Sequence, residues 1–190
     1  MRPINPPKGM VLGSYAVPIL AAFAHAIYFL PRTVDDLFIF LRYAENLSIG
    51  SGLVYNLGEA VEGFSSPLWT VCLAVGEVLG LGGVTCSKTM GLLSLTALIA
   101  GVIHIVHRRF AMSLLVASSA GLLVAANSYI VSWSILGLET PLHLALLVWS
   151  FNGLLVADAS QRRTVGTGLL LGLVALTRPE GALDVAGLTI

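Results

Sequence analysis

Long apolar runs separated by short polar breaks dominate this chain. A helix that crosses a bilayer takes about 20 mostly apolar residues, because the hydrocarbon core is about 30 Å thick. Runs of this kind cover residues 10–30, 65–81, 90–106, 110–126, 141–157 and 165–176, and 181–190 is apolar again. The first run is too long for a secretory signal and ends in Pro31-Arg32 without a small-x-small cleavage site, so it reads as an uncleaved helix. Residues 35–49 follow a different rule. There Phe38, Leu41, Ala44 and Leu47 recur at three-to-four spacing among Arg42, Glu45 and Asn46. That pattern predicts an amphipathic helix lying in the membrane interface, ended by Gly50-Ser51-Gly52.

Composition sharpens the class. Hydrophobic residues make up 56% of the 190 positions and charged residues only 11%, against about 25% charged in an average soluble domain. Disorder is excluded by that apolar content. Ten Lys/Arg balance ten Asp/Glu, which leaves no bulk basic field, and no nucleic-acid partner is expected. Cys72 and Cys86 have no metal or redox spacing and read as small apolar residues. Gly168 and Gly172 have the spacing by which membrane helices approach closely, and packing inside the bundle is the expected use. The predicted fold is an all-α polytopic transmembrane bundle. The tail at 181–190 stops without a boundary, so the chain is expected to be the N-terminal part of something longer.

The few charges orient it. Arg2 and Lys8 precede the first helix, and Arg108-Arg109 and Arg162-Arg163 form the later basic clusters; these six of the ten bases are expected on the cytoplasmic side. Residues 31–64 hold Asp35, Asp36, Glu45, Glu59 and Glu62 against Arg32 and Arg42, and read as external. Strict alternation would return Arg108-Arg109 to the outside, so one of the runs 65–81 and 90–106 does not span. The exception is taken to be 65–81, which is short and contains Glu77. A charge at mid-membrane costs about 2.5–3.5 kcal/mol on insertion scales. The remaining five runs are expected to cross, placing Glu139, Arg178 and Glu180 outside.

Candidate chemistry begins at Asp35-Asp36, two carboxylates directly after a membrane helix. Helix capping is one reading, since a helix N-terminus favours anions. General-base chemistry is the other, because partial desolvation raises a carboxylate's basicity. Arg178 sits between apolar residues and Pro179, and two readings stand for it: phosphate recognition through its fork of donors, or an ion pair with Glu180 or Glu139. Arg42 reads as a snorkelling side chain or a phosphate contact. His25 reads as a packed, hydrogen-bonded residue, and His104 and His107 have no acid near them in sequence to complete a metal site. Trp69, Trp133 and Trp149 are expected to include interface anchors; Tyr129 and Trp133 have the alternative of bordering a cavity.

Three segments resemble a known family. Residues 35–69 (DDLFIFLRYAENLSIGSGLVYNLGEAVEGFSSPLW), 137–142 (GLETPL) and 176–181 (LTRPEG) occur in the order found in GT-C glycosyltransferases, polytopic enzymes that use polyprenyl-phosphate sugars. The likeness is strongest to the terminal arabinofuranosyltransferases of mycobacterial cell walls. Lipid A aminoarabinose transferase and the protein O-mannosyltransferases are remoter kin. The resemblance covers essentially the whole chain. It implies that residues 1–190 are the N-terminal part of a GT-C membrane module, with 31–81 a periplasmic first loop carrying juxtamembrane helices. Longer members continue with further helices and often an external domain, so activity is expected of the full-length context.

The resemblance also implies roles. An acid just after the first membrane helix is catalytic in such enzymes, which points to Asp35 as general base with Asp36 as its partner. Glu139 matches a second acid of the same cavity, for acceptor binding, a sugar hydroxyl or a metal. A divalent cation is left open, with Asp35 and Glu139 as candidate ligands. Arg178, Glu180, Arg42, Tyr55, Glu59 and Glu62 are the candidate substrate contacts. The implied reaction moves a hexosyl or pentosyl group from a polyprenyl-phosphate donor to a hydroxyl of a cell-envelope glycan or glycolipid. It would take place at the periplasmic face of a bacterial inner membrane. Two rivals stand beside this reading. One is an inactive scaffold with the same fold; the other is a transporter of lipid-linked substrate, which mid-membrane charges and inverted repeats would mark.

Overall fold

A computed structural model of the chain describes residues 7–59, 61–156 and 161–189. Arg2, Ala157 and Ile190 lie outside these, as do the side chains of Arg162 and Arg163. The described residues form helices joined by loops, with no strand, and make up an all-α membrane bundle. In chain order the helices are α1 (Lys8–Ile27), α2 (Asp36–Ser48), α3 (Pro67–Val78), α4 (Gly83–His104), α5 (Leu114–Ala126), α6 (Ser128–Leu136), α7 (Thr140–Leu154), α8 (Gln161–Ala175) and α9 (Gly181–Thr189). A π turn, Ile105–Arg109, extends α4.

Among the described residues two helices are long and apolar enough to cross a membrane: α1, and α4 with its π turn, 27 residues in all. α5 and α6 together would make a third span, bent by 61°. The sequence predicted one straight run over 110–126 and no α6. The break comes at Asn127, whose side chain accepts from the Ile130 N–H at 3.1 Å and starts a new helix. His25 braces the bend: its Nδ1 donates to the Ala125 carbonyl (3.0 Å) and its Nε2 meets the Ser128 hydroxyl (3.3 Å). α7 and α8, where two further crossings were expected, have 15 residues each, about 22 Å.

α4 starts seven residues before the predicted run. Its early polar residues hide their own donors: Ser87 bonds the Val84 carbonyl, Thr89 that of Thr85 and Ser94 that of Met90. Lys88 ties down the turn that follows α1, donating to the carbonyls of Leu30 (2.6 Å) and Arg32 (2.8 Å).

Two apolar cores hold the bundle. Ala22 and Ala26 of α1 pack with Leu95, Ile99 and Ile103 of α4, Ala117 and Ala125 of α5, and Val131 of α6. Close approach depends on glycine: a Cβ on Gly91 would land on the Ser134 carbonyl oxygen. The second core joins Leu37, Phe40 and Ala44 of α2 to Trp69, Leu73 and Ala74 of α3, with Cys86 and Leu138. α3, expected not to span, has 12 residues, about 18 Å, less than the length of a membrane crossing. Trp69 is no interface anchor. It is fully buried and donates its Nε1–H to the Gly137 carbonyl at 3.2 Å. Trp149, half-buried, donates to Ala97 at 3.0 Å. Gly166, Gly168 and Gly172 do not serve packing among the described residues, since a Cβ on each meets nothing within 4 Å. Cys72 and Cys86 are free thiols.

Candidate functional site

α1 and α4 run in opposite directions, and their contacts define two ends about 30 Å apart. Lys8, Tyr15, His107 and Arg108 meet at one end. At the other, chain segments far apart in sequence are stitched together by backbone bonds. The Val34 N–H donates to the Leu136 carbonyl (3.3 Å) and that of Leu68 to Leu176 (3.0 Å).

This stitching creates a cleft of about 470 Å³. Its polar lining comes from Asp36, Glu62, Ser65, Glu139 and Arg178; its apolar walls include Ile39, Phe40 and Phe64. Thus the loop after α1, the 137–142 segment and the 176–181 segment contribute to one site. Asp36, the first residue of α2, faces it from an exposed position. Asp35 is the N-cap and is not part of the lining; its Oδ1 accepts from the Asp36 N–H at 3.2 Å. Asp35 thus occupies the N-cap position of α2, and Asp36 is the carboxylate of the pair that lines the cleft.

Glu139 precedes α7 and is 4% exposed. Its Oε1 lies 3.2 Å from Arg178 Nε, which is also 3.3 Å from Glu180 Oε1. Arg178 itself remains partly open to the cleft. Burial pushes the Glu139 carboxyl above the usual range. Its own backbone N–H, the Arg178 guanidinium and His143 pull it back, and Glu180 adds to the rise. Both readings of Arg178 meet here, because an arginine held by two carboxylates still faces a polar cavity.

Glu62 is aimed by a residue the sequence did not single out. The buried Tyr43 hydroxyl donates to the Val61 carbonyl (2.7 Å) and accepts from the Gly63 N–H (2.8 Å), pinning the backbone on both sides of Glu62. Asn46, expected on a wet face, is buried and donates to the carbonyls of Val54 and Tyr55. The remaining candidates lie apart from the cleft. Arg42 pairs with Glu45 at 3.0 Å and donates to the Tyr55 carbonyl at 3.2 Å, beside Glu77 in a separate hollow. Tyr55 rests its ring near that of Tyr43, and Glu59 accepts from Asn56 at 3.1 Å.

Sequence reasoning missed one more group. His143, one turn after Glu139 on α7, is buried and hydrogen-bonded through both ring nitrogens. Nδ1 meets Thr177 Oγ1, and Nε2 lies 3.0 Å from Asp184 Oδ2 on α9. Thr177 and Asp184 flank the turn that carries Arg178, so this network fixes the turn from both sides. The available signal was a lone ionisable residue in each of two apolar runs, which lipid makes costly without a partner.

Among the described residues no three His, Cys, Asp or Glu side chains group as a metal cluster, and the buried carboxylate of Glu139 is engaged by Arg178.

The fold and cleft define a class: a helical membrane protein with a built acidic site at one end of its bundle. Within known proteins, the chain is similar to the terminal beta-(1->2)-arabinofuranosyltransferase of Mycobacterium tuberculosis (strain ATCC 25618 / H37Rv), with 31% identity over 174 residues, 82% of this chain. It spans 27% of that relative's length. No family model matches the chain, and no solved structure does.

Proposed function

We propose that the acidic cleft is the transfer site of a membrane glycosyltransferase that takes a hexosyl or pentosyl group from a polyprenyl-phosphate donor. The acceptor is a hydroxyl of a cell-envelope glycan or glycolipid, and the cleft faces the periplasm across a bacterial inner membrane. The observation that carries this reading is the convergence of Asp36, Glu62, Glu139 and Arg178 into one cavity from segments more than 130 residues apart in sequence. The similarity to an arabinofuranosyltransferase supports the reaction class. The basic end, expected to be cytoplasmic, supports the orientation.

The chemistry follows from the positions. Asp36 is the general base: its carboxylate takes the proton of the acceptor hydroxyl as the oxygen attacks the anomeric carbon. The bond from that carbon to the phosphate oxygen breaks, and the polyprenyl phosphate leaves with the electron pair. Arg178 meets the departing charge, held in aim by Glu139 and Glu180. Glu62 is placed for a sugar hydroxyl. Asp35, which the resemblance put first, supports the start of α2.

The test is transfer from a panel of polyprenyl-phosphate sugars by the full-length protein in proteoliposomes. Asp36→Asn is expected to lower transfer about a thousandfold, within the 10²–10⁴ that a positioned base supplies. Unchanged transfer in that variant would remove Asp36 as the base, and no transfer from any donor by the unchanged protein would leave the scaffold reading in its place.

A further inference from the structure

At the opposite end a second cleft, of about 810 Å³, opens between the start of α1 and the π turn after α4. Lys8 and Tyr15 line it from α1, with aliphatic wall from Val11 and Leu12, and His107 and Arg108 close it from the π turn. No acid belongs to the lining. Neither Lys8 nor Arg108 is ion-paired among the described residues, and both are exposed.

The backbone sends Arg108 here. In the π turn the Phe110 N–H reaches back to the Ile105 carbonyl (3.1 Å), and the turn is followed by Ala111 at φ +52°, a conformation that alanine disfavours. Arg109 donates to Asn152 Oδ1 on α7 at 2.8 Å, while Arg108 lines the cleft together with Lys8 and also borders the hollow beside Arg109. Two cations brought to one cavity repel each other until an anion sits between them.

We propose that this cleft binds an anionic phospholipid, with its phosphate between Lys8 and Arg108 and an acyl chain against Val11 and Leu12. The wall decides for a lipid over a soluble anion. Leu12 is 71% exposed and Met10 59%, so the cavity opens sideways at the first turn of a helix long enough to cross the membrane. That is headgroup depth, where basic pockets between helices take lipid phosphates. A volume of this size suits a headgroup with part of its chains and far exceeds what a phosphate ion fills. Tyr15 completes the lining on the α1 side.

The test is native mass spectrometry and lipid titration of the full-length protein in detergent, using phosphatidylglycerol, phosphatidylcholine and inorganic phosphate as probes. Phosphatidylglycerol is expected to bind and phosphatidylcholine to bind at least tenfold more weakly. Lys8→Gln and Arg108→Gln should each weaken phosphatidylglycerol about fivefold and the pair about twenty-five-fold. Arg108→Lys should keep most of the binding, as should Arg32→Gln at the far end of the bundle. Equal binding of the two lipids would overturn the proposal, as would undiminished phosphatidylglycerol binding in the double variant. Inorganic phosphate competing at the lipid's own affinity would overturn the lipid assignment. Lys8→Gln lies in the exposed first turn of α1, so it reads the site even if a change at the π turn perturbs folding.

Discussion

The two ends of the bundle use the same scarce currency, charge in an apolar chain, in opposite ways. At the acidic end the charges are built in. Glu139 is buried against Arg178, Arg178 also meets Glu180, and His143 pairs with Asp184. At the basic end Lys8 and Arg108 stand exposed and unpaired among the described residues. Breaking a buried pair leaves an uncompensated charge and costs several kcal/mol, whereas an exposed charge is changed at little cost to folding. The acidic end is therefore rigid and preassembled, as chemistry at a fixed centre requires. The basic end is an open receptor for something that brings its own negative charge.

The largest expected effect separates the two adjacent aspartates. Asp36→Asn should lower transfer by about a thousandfold, whereas Asp35→Asn should cost mainly the cap, about 1 kcal/mol of stability or less. Steady-state transfer rates, read beside SDS-induced unfolding of each variant, make the distinction. Equal losses of rate in both would make the pair a single unit and undo the division drawn from the cleft lining.

The next tests whether the acidic end is as tightly fitted as its glycines suggest. Gly137 has φ +106°, and a Cβ there would lie 2.5 Å from Leu37 Cδ2, next to the carbonyl that Trp69 holds. Gly137→Ala combines a left-handed penalty with overpacking and should cost about 3 kcal/mol. Gly168→Ala on α8 meets open space and should change stability by no more than about 0.5 kcal/mol. Unfolding midpoints that fall together would refute the contrast.

A smaller loss is expected at His143. His143→Ala removes both bonds that bracket the Arg178 turn and should destabilise by about 2 kcal/mol. His143→Gln keeps a polar group and should recover part of it. If the network positions Arg178, the alanine variant also raises the KM for the donor more than it lowers kcat, and a purely structural role moves neither.

These expectations show what the chain's pattern conveys by itself. α2 was readable because its apolar spacing, its leading Asp35 and its closing Gly50-Ser51-Gly52 agree. α3 was readable as a non-crossing helix because one glutamate and a short length outweigh its hydropathy. The converging segments were readable only through their resemblance to a family, since nothing local says that Glu62, Glu139 and Arg178 meet. The bend at Asn127 was hidden because one side chain, in an otherwise apolar stretch, supplies the new cap. Asn46 was misjudged because a polar face was assumed to look at water, whereas it looks at the loop it organises, and Tyr43, which pins the same loop, carries no signal of that role in its own spacing.

The last and smallest effect is a pH dependence at Glu139. Its folded carboxyl titrates above the ordinary range because burial outweighs the pull of its backbone N–H, Arg178 and His143. A raised folded pKa means the native state holds its proton more tightly than the unfolded chain does. The stability this contributes is fully present below the unfolded carboxylate pKa and is lost as pH rises through the raised one. Glu139→Gln keeps the shape and cannot ionise. Its unfolding midpoint should therefore gain on that of the unchanged protein as pH climbs from the acid side towards neutrality. Divergence in the opposite direction would mean that Arg178 outweighs burial, and that the acidic end is held by its ion pair rather than strained by its buried charge.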